Sequence, residues 1–74
     1  MKSGQSVYWS ARPNELTLIL AGGERVIVPR SKYAGAIGSL GSAYAEGRSA
    51  EVAGISIELR LVIHLLGDLV EAVR

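Results

Sequence analysis

The sequence predicts an α+β domain: a β-hairpin, then a glycine-rich helix, a short strand and a C-terminal amphipathic helix. Three observations carry this. Two alternating apolar runs are joined by Gly22-Gly23; apolar residues recur at helical spacing from Tyr33 to Tyr44; and from Leu59 onward the apolar residues gather on one helical arc. A chain of 74 residues has room for one domain, taken as residues 1–74, because so short a chain buries only about 60% of the surface it exposes when unfolded. Its apolar fraction of 49% argues against disorder and for more burial than one small monomer easily provides.

Residues 1–6, Met-Lys-Ser-Gly-Gln-Ser, are polar and read as a loose N-terminus. Val7-Tyr8-Trp9 begins a β-prone patch, an edge strand, which Pro13-Asn14 ends. Leu16, Leu18 and Leu20 alternate with Thr17 and Ile19, and Val26 and Val28 flank Ile27. Those runs make the hairpin over 15–28, with Gly22-Gly23 expected as a type I′ turn, since both central residues of that turn need positive φ.

Pro29 closes the second strand, and the Ser31 hydroxyl is placed to cap a helix over about 32–46. Tyr33, Ile37, Leu40 and Tyr44 form its apolar stripe, and Gly47 its stop. Gly35, Gly38 and Gly41 leave another face smooth, at about 1 kcal/mol per interior glycine relative to alanine, so packing is expected to hold this helix. Two periods compete beyond Glu51. Ile55, Ile57, Leu59, Leu61 and Ile63 alternate as a strand would, yet every residue from Leu59 to the end fits one helix with Arg60, His64, Gly67, Asp68, Glu71 and Arg74 on its polar side. The assignment is a strand over 52–58 and a helix over 59–73.

Chemistry is sparse. Without cysteine there are no disulfides, thiolate zinc sites or nucleophilic thiols, and a single histidine excludes a multi-histidine metal site. His64 stands between Arg60 and Asp68 at helical spacing, which reads as a solvated face with charge pairs. The run Gly-Ala-Ile-Gly-Ser-Leu-Gly-Ser from Gly35 lacks both the order of a dinucleotide fingerprint and the Lys-Ser/Thr ending of a P-loop, so its glycines read as helix packing. No nucleophile, base and oxyanion donor can be assembled, and no enzyme, cofactor or metal is expected.

The formal charge of +1 gives no general case for nucleic acid, but it is unevenly spread. Residues 1–33 hold five basic side chains against two acidic ones, and the remainder three against five. Arg25, Arg30 and Lys32 form a basic rim that could contact a partner or a phosphate, and Tyr8 and Trp9 an aromatic pair able to grip a partner or anchor the edge strand. The polar start excludes a signal peptide and no run suits a membrane span, so a cytoplasmic protein is expected.

Gly23, Arg25, Val26, Val28, Pro29, Ser31 and Tyr33, following Leu16, Leu18 and Leu20, resemble the signature of bacterial domain-of-unknown-function family 2442 over about residues 15–37. Some short members are considered antitoxin-like, which implies a partner protein. Glu24–Val28, the helix over 31–46 and the run from Gly54 are also similar in order to the ribbon-helix-helix DNA-binding class, which implies a dimeric repressor.

The apolar arc of the last helix spans roughly 200°, against the ~100° a surface helix needs to cover a core. A homo-oligomer, with a dimer favoured, or a tight complex with another protein is therefore expected. Its interface is assigned to Leu61, Leu65, Leu66, Leu69 and Val73.

Overall fold

A computed structural model describes residues 7–74; the expected loose N-terminus lies outside them. The elements run β1 (Tyr8–Ala11), β2 (Glu15–Ile19), β3 (Arg25–Pro29), a 3-10 turn (Arg30–Lys32), α1 (Tyr33–Glu46), β4 (Ala50–Val52), β5 (Ile55–Ile57) and α2 (Leu59–Ala72). The α+β class holds. Two antiparallel sheets are present, β1-β2-β3 and β4-β5, and the molecule is only 16 Å thick in its shortest direction against 33 and 29 Å in the others.

The register follows the apolar alternation. Leu18 pairs with Trp9 on one side and Val26 on the other, and Leu16 with Ala11 and Val28. These positions line the inner face, where Leu16, Leu18 and Val28 are buried. Tyr8, Ile19 and Arg25 make one outer row and Ser10, Thr17 and Ile27 the next. Two main-chain bonds beyond the strand ends, Leu20 N–H to the Glu24 carbonyl (2.8 Å) and Arg30 N–H to that of Asn14 (3.1 Å), fix which way each β3 residue faces. Since bonded and non-bonded pairs alternate along an antiparallel ladder, Val26 and Val28 direct their amides and carbonyls to β2, and Arg25, Ile27 and Pro29 direct theirs to the open edge. Proline thus sits where its missing N–H costs no ladder bond.

The β2–β3 turn corrects the expected type I′ form. Gly23 has φ of +86° while Gly22 is not in the left-handed region, and Gly23 N–H donates to the Leu20 carbonyl at 2.9 Å. The loop is therefore Ala21-Gly22-Gly23, a three-residue connection with one glycine at the positive-φ site. The two-residue turn with both φ positive occurs instead between β4 and β5, at Ala53 (+52°) and Gly54 (+80°). Alanine there is held against a left-handed penalty of about 1–2 kcal/mol. Ala53→Asn is expected to raise stability by ~1 kcal/mol, read as a higher Tm; an unchanged or lower Tm would contradict the strain.

Ser31 caps nothing: it lies in the 3-10 turn, and α1 starts without a side-chain cap. Its stop is as expected, for Gly47 adopts φ of +69°, with its N–H on the Tyr44 carbonyl and that of Arg48 on the Ala43 carbonyl, the paired bonds of a Schellman end. The buried stripe of α1 is Tyr33, Ala36, Leu40 and Ala43, while Tyr44 is exposed and Ile37 half-buried. The strand expected over 52–58 proves to be β5 and the end of β4. The C-terminal helix starts at Leu59, as the competing 3.6-residue period requires.

One core gathers Val7, Leu16, Leu18 and Val28 from the sheet, the α1 stripe, Ala50, Val52 and Ile57 from the small hairpin, and Val62, Leu65 and Leu69 from α2. Among the described residues no polar side chain is buried. The 12–14 connection is gripped from below. Tyr33 Oη donates to the Arg12 carbonyl, and Arg30 Nη1 to that of Pro13 at 2.8 Å.

Candidate surfaces for partner binding

The five residues assigned to an interface divide in two. Leu65 and Leu69 are fully buried in the chain's own core, so that part of the assignment is corrected: the sheet and α1 cover them. Leu61, Leu66 and Val73 are half-buried against that core. The apolar arc is nonetheless wider than the core. Val62, Leu65 and Leu69 point inward, Leu61 lies on the flank beside Val7, Tyr8 and Trp9, and the opposite flank carries Leu59, Ile63, Leu66, Val70 and Val73. Leu59 remains 44% exposed and Ile63 42%, while Leu66, Val70 and Val73 are half-buried.

This outer seam advances by four, three, four and three residues, the a/d spacing of a helix that packs lengthwise on another. Gly67 adjoins its centre, with no neighbouring element within 4 Å of where a Cβ would stand. Sequence reasoning missed Leu59, Ile63 and Val70 as the exposed members. Their spacing was visible, but which half of a wide apolar arc meets the core depends on the neighbouring elements.

Trp9 is anchored. Its indole Nε1–H donates to Asp68 Oδ2 at 2.7 Å, tying β1 to α2, whereas Tyr8 is 78% exposed on the outer sheet face. On the polar face read as solvated with charge pairs, Asp68 accepts this bond, and Arg60 pairs with Glu58 at 2.8 Å. Of the basic rim, Arg30 is committed to the Pro13 carbonyl, and Arg25 and Lys32 are exposed.

Gly35 and Gly38 are exposed and Gly41 is half-buried, with no neighbouring element within 4 Å of their Cβ positions, so this face, read as helix packing, is left open among the described residues. The Gly35 side forms a wall of an open groove of about 410 Å³. Val28 of β3 lies on one bank, Glu51, Val52 and Ala53 on the other, and Ser31, Lys32, Ala36 and Ser39 complete it.

Among the described residues, no three His, Asp or Glu side chains are grouped to hold a metal, and no helix is long and apolar enough to cross a membrane. The chain order also departs from the ribbon-helix-helix class. The Glu24–Val28 segment is already paired with β2 in the same chain, and a hairpin separates the two helices. Comparison with protein-family models, with curated proteins and with solved structures finds no match to this chain.

Proposed function

We propose that this chain is a small non-enzymatic protein-interaction module that pairs with a second copy of itself through the outer seam of α2. The observation carrying the proposal is the row Leu59, Ile63, Leu66, Val70 and Val73, left partly uncovered beside a complete core. The row is nearly palindromic. A two-fold antiparallel copy would set Leu66 against Leu66 of the second copy, Ile63 against its Val70, and Leu59 against its Val73.

Self-complementarity of this kind is what an isologous interface needs. Fully burying one such side chain is worth about 1.5–3 kcal/mol relative to leaving it exposed. The bare flank of Gly67 lets the second helix approach closely at the centre of the seam. The resemblance of residues 15–37 to family 2442 supports an antitoxin-like setting, in which the dimer presents its remaining surface to a partner protein.

Sedimentation equilibrium from 1 to about 200 µM tests the pairing. The native chain is expected to move from monomer toward dimer across that range, and Ile63→Lys to stay monomeric with an unchanged circular dichroism spectrum. A native chain that remains monomeric throughout would overturn the proposal.

A further inference from the structure

The open edge of β3 lies away from the α2 seam and carries different information. Among the described residues β3 has a strand neighbour on one side only, and the Arg25 and Ile27 main-chain groups and the Pro29 carbonyl point outward, as the register shows. The middle of the edge, Val26-Ile27-Val28, carries no charge or bulge, and the devices that usually blunt an exposed edge stand only at its ends, as Arg25 and Pro29. Ile27 is 53% exposed. Beyond the edge lies the groove whose banks are Val28 of β3 and Glu51 and Val52 of β4, and none of β2 or β5 lines it. β4, likewise, has its only strand partner among the described residues in β5.

Charge adds a second, independent observation. The ion pairs of the described residues, Glu46–Arg48, Glu58–Arg60 and Glu71–Arg74, all belong to the C-terminal half. The sheet and its exit turn hold Arg12, Arg25, Arg30 and Lys32 against Glu15 and Glu24, and none of these six is ion-paired within the described residues. Arg25 opens β3 and Lys32 stands just past its end, so a net positive field flanks the strand's unpaired edge.

We infer that β3 accepts an extended segment of a partner protein as an added antiparallel or parallel strand. That segment has an apolar-alternating centre and acidic ends that meet Arg25 and Lys32. Main-chain bonding to Ile27 supplies the docking and the basic ends supply the selectivity, which is how strand addition divides affinity from specificity. Gly35, Ala36 and Ser39 leave space on the groove side for the segment's inward residues. Glu51 on the far bank disfavours an acid at the segment's centre, which is why the acids are placed at the ends.

The probe is an octapeptide with a central Val-Thr-Val-Thr run and two acidic residues at each end, compared with the same run ended by lysines. At low salt the native chain is expected to bind the acidic-ended peptide at least tenfold more tightly, with slowed exchange of the Ile27 amide. The double variant Arg25→Glu, Lys32→Glu alters only exposed side chains and should reverse the preference. Equal affinity for both peptides, or binding that leaves Ile27 exchange unchanged, would overturn the inference. So would Ile27 protection that rises with protein concentration in the absence of peptide, since a second copy would then occupy the edge. Ile63→Lys should retain peptide binding, which separates failure here from failure of the α2 pairing.

Discussion

Leu65→Lys is expected to unfold the chain, while Ile63→Lys, two residues earlier on the same helix, leaves it folded. Leu65 is fully enclosed by the core and Ile63 is 42% exposed. An ammonium group at position 65 would be buried among Leu16, Leu40, Leu69 and other apolar side chains of one cluster. Apart from the Tyr33 hydroxyl, already donating to the Arg12 carbonyl, no buried side chain among the described residues has a polar group to pair with it. A buried unpaired charge costs several kcal/mol, and a domain of this size has only about 4–11 kcal/mol of total stability at ~0.05–0.15 kcal/mol per residue. At position 63 the lysine reaches water, and the change in monomer stability should stay within about 0.5 kcal/mol. Urea melts of the two variants check this. A folded Leu65→Lys, or an unfolded Ile63→Lys, would show that the inner and outer faces of α2 have been exchanged.

The next largest effect is expected at Tyr33, which joins α1 to the β1–β2 connection. Its ring is 2% exposed, and its hydroxyl donates to the Arg12 carbonyl. Tyr33→Ala removes an aromatic ring from the core and should cost ~3–5 kcal/mol. Tyr33→Phe keeps the ring and loses only the hydroxyl, leaving the Arg12 carbonyl without that donor, and should cost about 1 kcal/mol.

The pH dependence separates these further. Burial pushes the Tyr33 phenol above its ordinary value, with Arg30 pulling it back down and Glu15 adding to the rise. The folded state therefore holds the phenolic proton more tightly than the unfolded one. Its contribution is complete below the unfolded phenol's pKa near 10 and is lost as pH rises through the higher folded value. Native stability should fall in that alkaline window, and Tyr33→Phe should remove this part of the fall. Identical alkaline limbs in the two proteins would contradict the assignment.

The elements that were legible in the sequence are those whose period is unmixed. Leu16 and Leu18 against Thr17 and Ile19 name both the strand and its inner face, and Gly47 marks the end of α1 because left-handed φ there suits glycine. The β4–β5 hairpin was not legible. Its turn places alanine, not asparagine or glycine, at the first left-handed position, so Ala53-Gly54 gives only half the usual signal. Ser31 misled because a 3-10 turn that already follows Pro29 carries the chain into α1 without a side-chain cap.

For the candidate surfaces, the width of the α2 arc showed that the helix has apolar surface to spare. It could not say that Leu65 and Leu69 are the inner members and Leu59 and Ile63 the outer ones, because that choice is made by where β1 and α1 pack. Trp9 was legible as an edge-strand anchor, as its bond to Asp68 shows, whereas Arg30, read as a partner or phosphate contact, spends a guanidinium N–H on the Pro13 carbonyl of its own chain.

The most direct measurement of the α2 pairing uses the absence of native cysteine. Leu66→Cys and Leu59→Cys are each oxidised in solution and the covalent dimer is measured. An antiparallel two-fold seam brings position 66 next to itself and keeps position 59 away from its counterpart. Rapid disulfide formation is expected for Leu66→Cys, within the ~4.4–6.8 Å Cα separation a disulfide tolerates, and little for Leu59→Cys. No covalent dimer from Leu66→Cys, or equal yields from both variants, would contradict it.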